Sequence, residues 1–249
     1  DCRLFKTTTL CLNMRFRIAD GASRGAVSIG SKLWRMTLIA TNVLFILDVI
    51  GVLAFALTGL VEGVRKGADL VGVGFLAFVT AFGGGTLRDL LLDRRPFFWV
   101  ENEFWLWLLI GIAILAPFVI RSRFIELTEK TVRWPDAVGL GAFSANGTLI
   151  ALESGASVLV AALMGITTAA VGGIIRDLLV NQVPRAIVDH EFYIVIGLGG
   201  GLLISLLGAI GISLAWAAVV SAVLVTVIRM LAMTFGWKLP GFNKKNPAS

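Results

Sequence analysis

From Thr41 onward the chain is a succession of apolar runs separated by short charged or Gly/Pro-marked breaks. A helix that crosses a hydrocarbon core needs about 20 mostly apolar residues, and the breaks divide the sequence into seven runs of that kind. The first extends from about Thr41 to Val61, carries Asp48 inside it, and stops at the turn Glu62 to Asp69. The second runs from about Leu70 to Leu92, ahead of Asp93-Arg94-Arg95-Pro96, and the third from Phe104 to Arg121. Trp99, Trp105 and Trp107 gather at the entry of the third, the place for an aromatic belt at headgroup level. After a charged connector come spans from Asp136 to Leu152, Ser157 to Val180, Phe192 to Leu207 and Ile212 to Phe235.

The pattern repeats. Ala81-Phe82-Gly83-Gly84-Gly85-Thr86-Leu87-Arg88-Asp89-Leu90-Leu91 returns as Ala169-Ala170-Val171-Gly172-Gly173-Ile174-Ile175-Arg176-Asp177-Leu178-Leu179, at an offset of 88 residues. The same offset, without a gap, pairs Asp48 with Asp136, Gly51 with Gly139, Phe55 with Phe143, Gly59 with Gly147, Thr80 with Thr168, Pro96 with Pro184 and Gly111 with Gly199. This is an internal duplication. Each copy holds three spans, an odd number, so the second enters the membrane from the opposite side and the repeats are inverted; such pairs commonly place a binding or permeation site between the copies near the midplane. The expected architecture is an all-α integral membrane protein of seven transmembrane helices, two inverted three-helix repeats plus a seventh helix. Its segments are a disordered basic tail (1–40), the first repeat (41–121), a connector (122–135), the second repeat (136–211), the seventh helix (212–236) and a polar tail (237–249).

Composition agrees. Of 249 residues, 57% are hydrophobic and 15% charged, and the mean hydropathy is +0.88, too apolar for a soluble domain. The net charge of +6 sits in flanking loops and tails without a folded basic face, so nucleic acid is not an expected partner. Loops on the side of the C-terminus hold Arg65, Lys66, Arg121, Arg123, Lys130, Arg133, Arg185, Lys238, Lys244 and Lys245, against Arg94 and Arg95 opposite. The positive-inside bias therefore predicts a cytoplasmic C-terminus and an external N-terminus. Both cysteines, Cys2 and Cys11, lie in the N-terminal tail, and the lone histidine, His190, reads as an ordinary interfacial residue. The tail itself is read as standing outside the working protein, because Met36 directly precedes the first span; a transit peptide is the competing reading of its Arg/Ser content.

Candidate chemistry centres on the duplicated motif. Consecutive glycines weaken a helix, each by about 0.8 to 1.0 kcal/mol relative to alanine, so Gly83, Gly84, Gly85 and Gly172, Gly173 predict a kink or unwound turn whose freed carbonyls and amides suit cations and anions respectively. Spaced glycines such as Gly51, Gly59, Gly139 and Gly147 are instead expected to serve close helix packing. Arg88-Asp89 and Arg176-Asp177 place charge in or near membrane spans, where it usually marks function. Neighbours on a helix face apart, so the expectation is a crossed exchange, Arg88 with Asp177 and Arg176 with Asp89, with Asp48 and Asp136 as the alternative partners. Such pairs line a pathway or simply staple the repeats together. Thr58 and Asn146, offset equivalents, are neutral oxygen donors that line a pore or bond a neighbouring helix. There is no Ser/His/Asp set, metal-ligand cluster or Walker loop, so neither enzyme, cofactor nor bound metal is expected.

Gly83-Gly84-Gly85-Thr86-Leu87-Arg88-Asp89 and its echo Gly172-Gly173-Ile174-Ile175-Arg176-Asp177, each followed by a proline loop, resemble the prokaryotic branch of the TRIC (trimeric intracellular cation) channels, a bacterial family that also carries a glycine-transporter label. The resemblance covers about Met36 to Trp237. It implies a homotrimer in a prokaryotic plasma (inner) membrane, with a separate pore in each protomer at glycine-kinked second and fifth helices. Val171 replaces the first glycine of the second copy, which implies a less open bend there. In a channel, potassium passes transiently by exchanging water for oxygens at the break, including Thr80, Thr86 and Thr168. A small amino-acid transporter would instead use Arg88 or Arg176 for a carboxylate and Asp89 or Asp177 for an ammonium.

Overall fold

The computed structural model describes residues 24–101, 103–121, 129–188 and 192–237. Two units are distinguished, Asp1–Asn42 and Val43–Ser249. The helices are α1 (Arg24–Arg65), α2 (Leu70–Leu91), α3 (Phe98–Glu101), α4 (Phe104–Arg121), α5 (Glu129–Glu153), α6 (Val158–Leu179), α7 (Arg185–Val188), α8 (Tyr193–Ala209) and α9 (Leu214–Phe235). All regular structure among the described residues is helical. Four helices are long and apolar enough to cross a membrane, Thr41–Arg65 within α1, α2, α6 and α9, and shorter apolar helices cover Phe104–Ile114 and Tyr193–Ala209. α1 begins at Arg24, inside the stretch expected to be disordered; residues 1–23, His190 and the C-terminal lysines lie outside the described residues.

Local sequence sets the helix ends. Asp69 caps α2, its carboxylate accepting from the Gly72 amide at 2.7 Å. Gly67 and its offset equivalent Gly155 take positive φ, +72° and +84°, in the turns that end α1 and α5. Past α2 and α6, Asp93 and Asn181 adopt left-handed φ of 51° and 55°, and the next amides, Arg94 and Gln182, each return to the carbonyl of Asp89 or Asp177 at 2.8 Å. All three pairs keep the 88-residue spacing, so the duplication is legible in the backbone of the turns.

Polarity is distributed for an apolar surrounding. Val71 (78% exposed), Leu178, Trp216 and Phe235 point outward, whereas Arg88 and Arg176 are among the largest fully buried side chains. In water such an arrangement costs burial energy on both counts; in hydrocarbon it is the arrangement that satisfies charge. α5 is the most enclosed helix, with Ser144, Asn146 and Thr148 fully buried. α1 lies against it in antiparallel register: the Phe55 and Phe143 rings pack at 5.3 Å, and a Cβ on Gly51 or Gly139 would collide with the Phe143 or Phe55 ring respectively. The packing role expected of these glycines is thus observed, and Gly59 and Gly147 serve it too, against Ala77 and against Thr168 and Gly165. Of the tryptophans expected in a headgroup belt, only Trp107 faces out; Trp105 is buried, and Trp99 packs on Phe78 and Phe82.

Candidate functional site

The glycine motifs bring α2 and α6 together. A Cβ at Gly84 would strike the Thr168 carbonyl, and a Cβ at Gly172 would strike the Thr80 carbonyl, so each helix presses a glycine against the other's backbone. Gly83 and Gly173 are more open, their nearest neighbours standing 3.4 Å and 3.6 Å from an added Cβ. That explains why the second copy accommodates Val171 where the first has Gly83: the position tolerates a side chain, while Gly84 and Gly172 do not. Gly85 is held by the Phe98 ring, which would stand 2.6 Å from a Cβ added there, and the offset equivalent of Phe98 is Ala186.

Of the expected kink or unwound turn, the unwound turn is not found. Helical structure continues through Gly83 to Gly85 and through Gly172 and Gly173, because close approach of the partner helix fills the space that the missing side chains leave and no backbone group is freed. Thr80 and Thr168 hydroxyls donate to the carbonyls one turn back, Leu76 and Met164, each at 2.6 Å. Thr86 donates to the Phe82 carbonyl at 2.8 Å and accepts from Trp99 Nε1 at 3.0 Å.

The crossed exchange of charges is also overturned. Arg88 Nε donates to Asp89 Oδ1 at 2.9 Å, and Arg176 Nε to Asp177 Oδ1 at 2.9 Å. Each long guanidinium arches back over its own neighbour in the last helical turn, so the divergence of adjacent Cβ atoms is bridged by side-chain length. The second oxygen of each carboxylate reaches forward: Asp89 Oδ2 accepts from the Phe98 amide at 3.2 Å, and Asp177 Oδ2 from the Arg185 amide at 3.0 Å. Each aspartate therefore ties its helix to the short helix beyond the proline loop.

Beyond that shared clamp the two centres differ. Arg176 Nη1 donates to Thr58 Oγ1 at 2.9 Å and to Asp136 Oδ1 at 3.2 Å, so the alternative partner expected from the duplication is correct for this arginine. Arg88 has neither contact. Its Nη2 lies 2.9 Å from Asp89 Oδ1 as an ion pair but makes no hydrogen bond, and its guanidinium stands 5.7 Å from the Phe98 ring centroid. Asp48 accepts from Asn146 Nδ2 instead, and the buried Asn146 Oδ1 has no hydrogen-bond partner.

Around Arg176 lies a polar cavity of about 20 Å³, room for about one water-sized species, lined by Arg133, Asp136, Arg176, Asp177, Arg185, Tyr193 and Arg229 among others. Arg229 stacks its guanidinium 5.1 Å from the Tyr193 ring centroid. Arg185 Nη2 reaches Glu62 Oε2 at 3.0 Å, an oxygen shared with Arg65 Nη1 at 2.9 Å. Sequence reasoning counted Glu62 and Arg185 as loop charges and passed over Tyr193 and Arg229. Arg229 carried a usable signal, a charge inside the seventh apolar run; nothing in the local sequence points to Glu62, whose offset equivalent is Ile150.

The family model described as glycine transporter matches the chain twice, over residues 45–121 and 133–209, segments whose starts lie 88 residues apart. The chain is 33% identical to a UPF0126 membrane protein of Vibrio cholerae, over 83% of this chain and 85% of that one. It is also 33% identical to the UPF0126 inner membrane protein YadS of Escherichia coli K12, over 79% and 94%. Among solved structures it is similar to the TRIC trimeric intracellular cation channel orthologue from Rhodobacter sphaeroides, at 35% identity and a TM-score of 0.73, covering 78% of this chain and 98% of that one. A prokaryotic TRIC channel in 0.5 M KCl is 26% identical at a TM-score of 0.73, covering 80% and 100%.

Proposed function

The chain belongs to the glycine transporter family, and from that membership and its likeness to solved TRIC channels we propose that it is a potassium-conducting channel of a bacterial inner membrane. The protomer is read as seven transmembrane helices in two inverted repeats plus α9, three protomers assemble, and each carries its own pathway where α2 and α6 cross. The C-terminus is cytoplasmic and the N-terminus external. No catalytic step is assigned to it.

One observation carries this reading: the reciprocal contact of Gly84 with the Thr168 carbonyl and of Gly172 with the Thr80 carbonyl. The Thr80 and Thr168 carbonyl oxygens meet the opposite glycine between the repeats, while their hydroxyls face Gly59 and Gly147 within their own repeats; carbonyl oxygens are groups for which a dehydrating monovalent cation exchanges water. Packed this closely the crossing is shut, so conduction requires α2 and α6 to separate by the width of an ion. The buried Arg/Asp clamps, one on either side of it, fix the C-terminal ends of both helices and set how far they part.

A second reading, carriage of a small amino acid, draws on the charges beside Arg176, where guanidinium groups and the carboxylates of Asp136 and Asp177 meet, partners for a carboxylate and an ammonium; the cavity there has room for about one water, so carriage requires it to widen. Single-channel recording of the purified protein in a planar bilayer under a potassium chloride gradient separates the two. Unitary steps reversing near the potassium equilibrium potential are expected. Electrical silence from protein that accumulates labelled glycine in liposomes would replace the channel with the carrier.

A further inference from the structure

The two arginine centres are related residue by residue at the 88-residue offset, yet only one is docked. Arg176 is bound to Asp136 of its own repeat and to Thr58 of the other. The offset equivalents for Arg88 are Asp48 and Asn146, and Arg88 hydrogen-bonds neither. At this undocked centre the acceptor Asn146 Oδ1 is buried and without a hydrogen bond, while Arg88 Nη2 rests 2.9 Å from Asp89 Oδ1 as an ion pair, the place Arg176 Nη2 takes against Asp177. Asn146 Oδ1 is the acceptor that a docked Arg88 would reach with Nη1, the nitrogen Arg176 uses toward Thr58 and Asp136. The glycine crossing, the carboxylate clamps and the left-handed turns occur twice, whereas Phe98, which stands against Arg88, has Ala186 as its equivalent.

We propose that Asp48 and Asn146 are the second docking site of a two-position switch, in which Arg88 docks on them while Arg176 lets go of Thr58 and Asp136. This rests on the reading of α2 and α6 as the transport helices and names how their separation is controlled. Asp48 and Thr58 are ten residues apart on α1, about 15 Å along its axis, and Asn146 and Asp136 are equally spaced on the antiparallel α5. The two docking sites are therefore at opposite ends of the α1 and α5 pair. A rocking of that pair over the α2 and α6 crossing closes one end as it opens the other, with the interlocked Gly51, Phe55, Gly139 and Phe143 as pivot. Inverted repeats commonly exchange conformations in this manner, and the Asp48–Asn146 bond is the stopper that holds the vacant end while Arg88 is away.

Hydrogen exchange on the trimer in lipid nanodiscs tests the switch without requiring permeation. The probes are the Arg94 and Phe98 amides, held by Asp89, and the Gln182 and Arg185 amides, held by Asp177. Thr58→Val removes the hydroxyl that Arg176 uses and is expected to speed exchange at Gln182 and Arg185 about tenfold, the order that loss of a hydrogen bond to a charged group corresponds to, while slowing it at Arg94 and Phe98. Asn146→Leu should do the reverse, and Thr58→Ser should match the unaltered protein. If either variant fails to assemble, Asp136→Asn and Asp48→Asn provide the same opposed pair. Exchange that rises at both loops in both variants, or moves at neither, overturns the switch and leaves the asymmetry a fixed consequence of Thr58 facing one arginine and Asn146 facing Asp48. Currents recorded from the same preparations keep the two readings apart: silence with opposed exchange shifts rejects the channel alone, and currents with parallel shifts reject the switch alone.

Discussion

Arg88 and Arg176 stand at equivalent places in a duplicated sequence, each followed by an aspartate that clamps the next short helix, yet their surroundings differ in kind. Arg176 sits in a network of Asp136, Asp177 and Thr58 beside a cavity rimmed by three further arginines. Arg88 has one carboxylate, with Arg94 also 3.9 Å from it, and an aromatic ring. Duplication thus preserved the part of each site that a single repeat builds for itself, the arginine, its neighbour and the loop. It did not preserve the part that reaches across to α1 and α5, because there the partners have diverged: Thr58 against Asn146 and Glu62 against Ile150.

The largest expected effect is at the arginines themselves. Arg176→Met strands Asp136 and Asp177 and is expected to cost about 3 to 5 kcal/mol, the penalty for breaking a buried pair from one side. Arg88→Met leaves Asp89 with the Phe98 amide and Arg94, and about 1 to 3 kcal/mol is expected. Denaturant titration of the protein in detergent compares them, and equal losses would erase the distinction between the centres.

Next come the glycines, where the comparison should collapse into symmetry. Gly84→Ala and Gly172→Ala each drive a methyl into a carbonyl and should destabilise alike, by about 1 to 3 kcal/mol. Gly83→Ala meets nothing closer than 3.4 Å and is expected to be neutral or stabilising by up to about 1 kcal/mol through helix propensity. A Gly83→Ala as damaging as Gly84→Ala, by thermal unfolding, would show that flexibility and not close packing selects the triplet.

Two smaller tests mark features that only one centre has. Glu62→Gln weakens the contacts from Arg185 and Arg65 and is expected to cost about 2 kcal/mol, the scale of hydrogen bonds to a charged group. Trp99→Phe removes the bond to Thr86 on the Arg88 side, for about 1 kcal/mol. Both are read by unfolding midpoint, and protection from exchange should fall only on the side of the substitution.

The helices and the duplication are legible in the sequence because both are written in local order. Apolar runs of bilayer length, glycine turns such as Gly67 and Gly155, and an unbroken 88-residue echo need no knowledge of what touches what. The burial of Arg88, Asp89, Arg176 and Asp177 follows from the same source, since a charge inside an apolar run has nowhere to go but inward. What the glycines do was not legible: three in a row weaken an isolated helix, and only the Thr168 carbonyl lying against Gly84 shows that the space is filled and the helix intact. The pairing of the charges was equally hidden. Helix geometry turns neighbouring Cβ atoms apart, but an arginine is long enough to fold back on Asp89 or Asp177, and the choice depends on competing partners supplied by α1 and α5. Sequence determined which residues leave the lipid; tertiary structure decided which of them meet, because hydrophobicity is a property of each segment and a hydrogen bond is a distance between two.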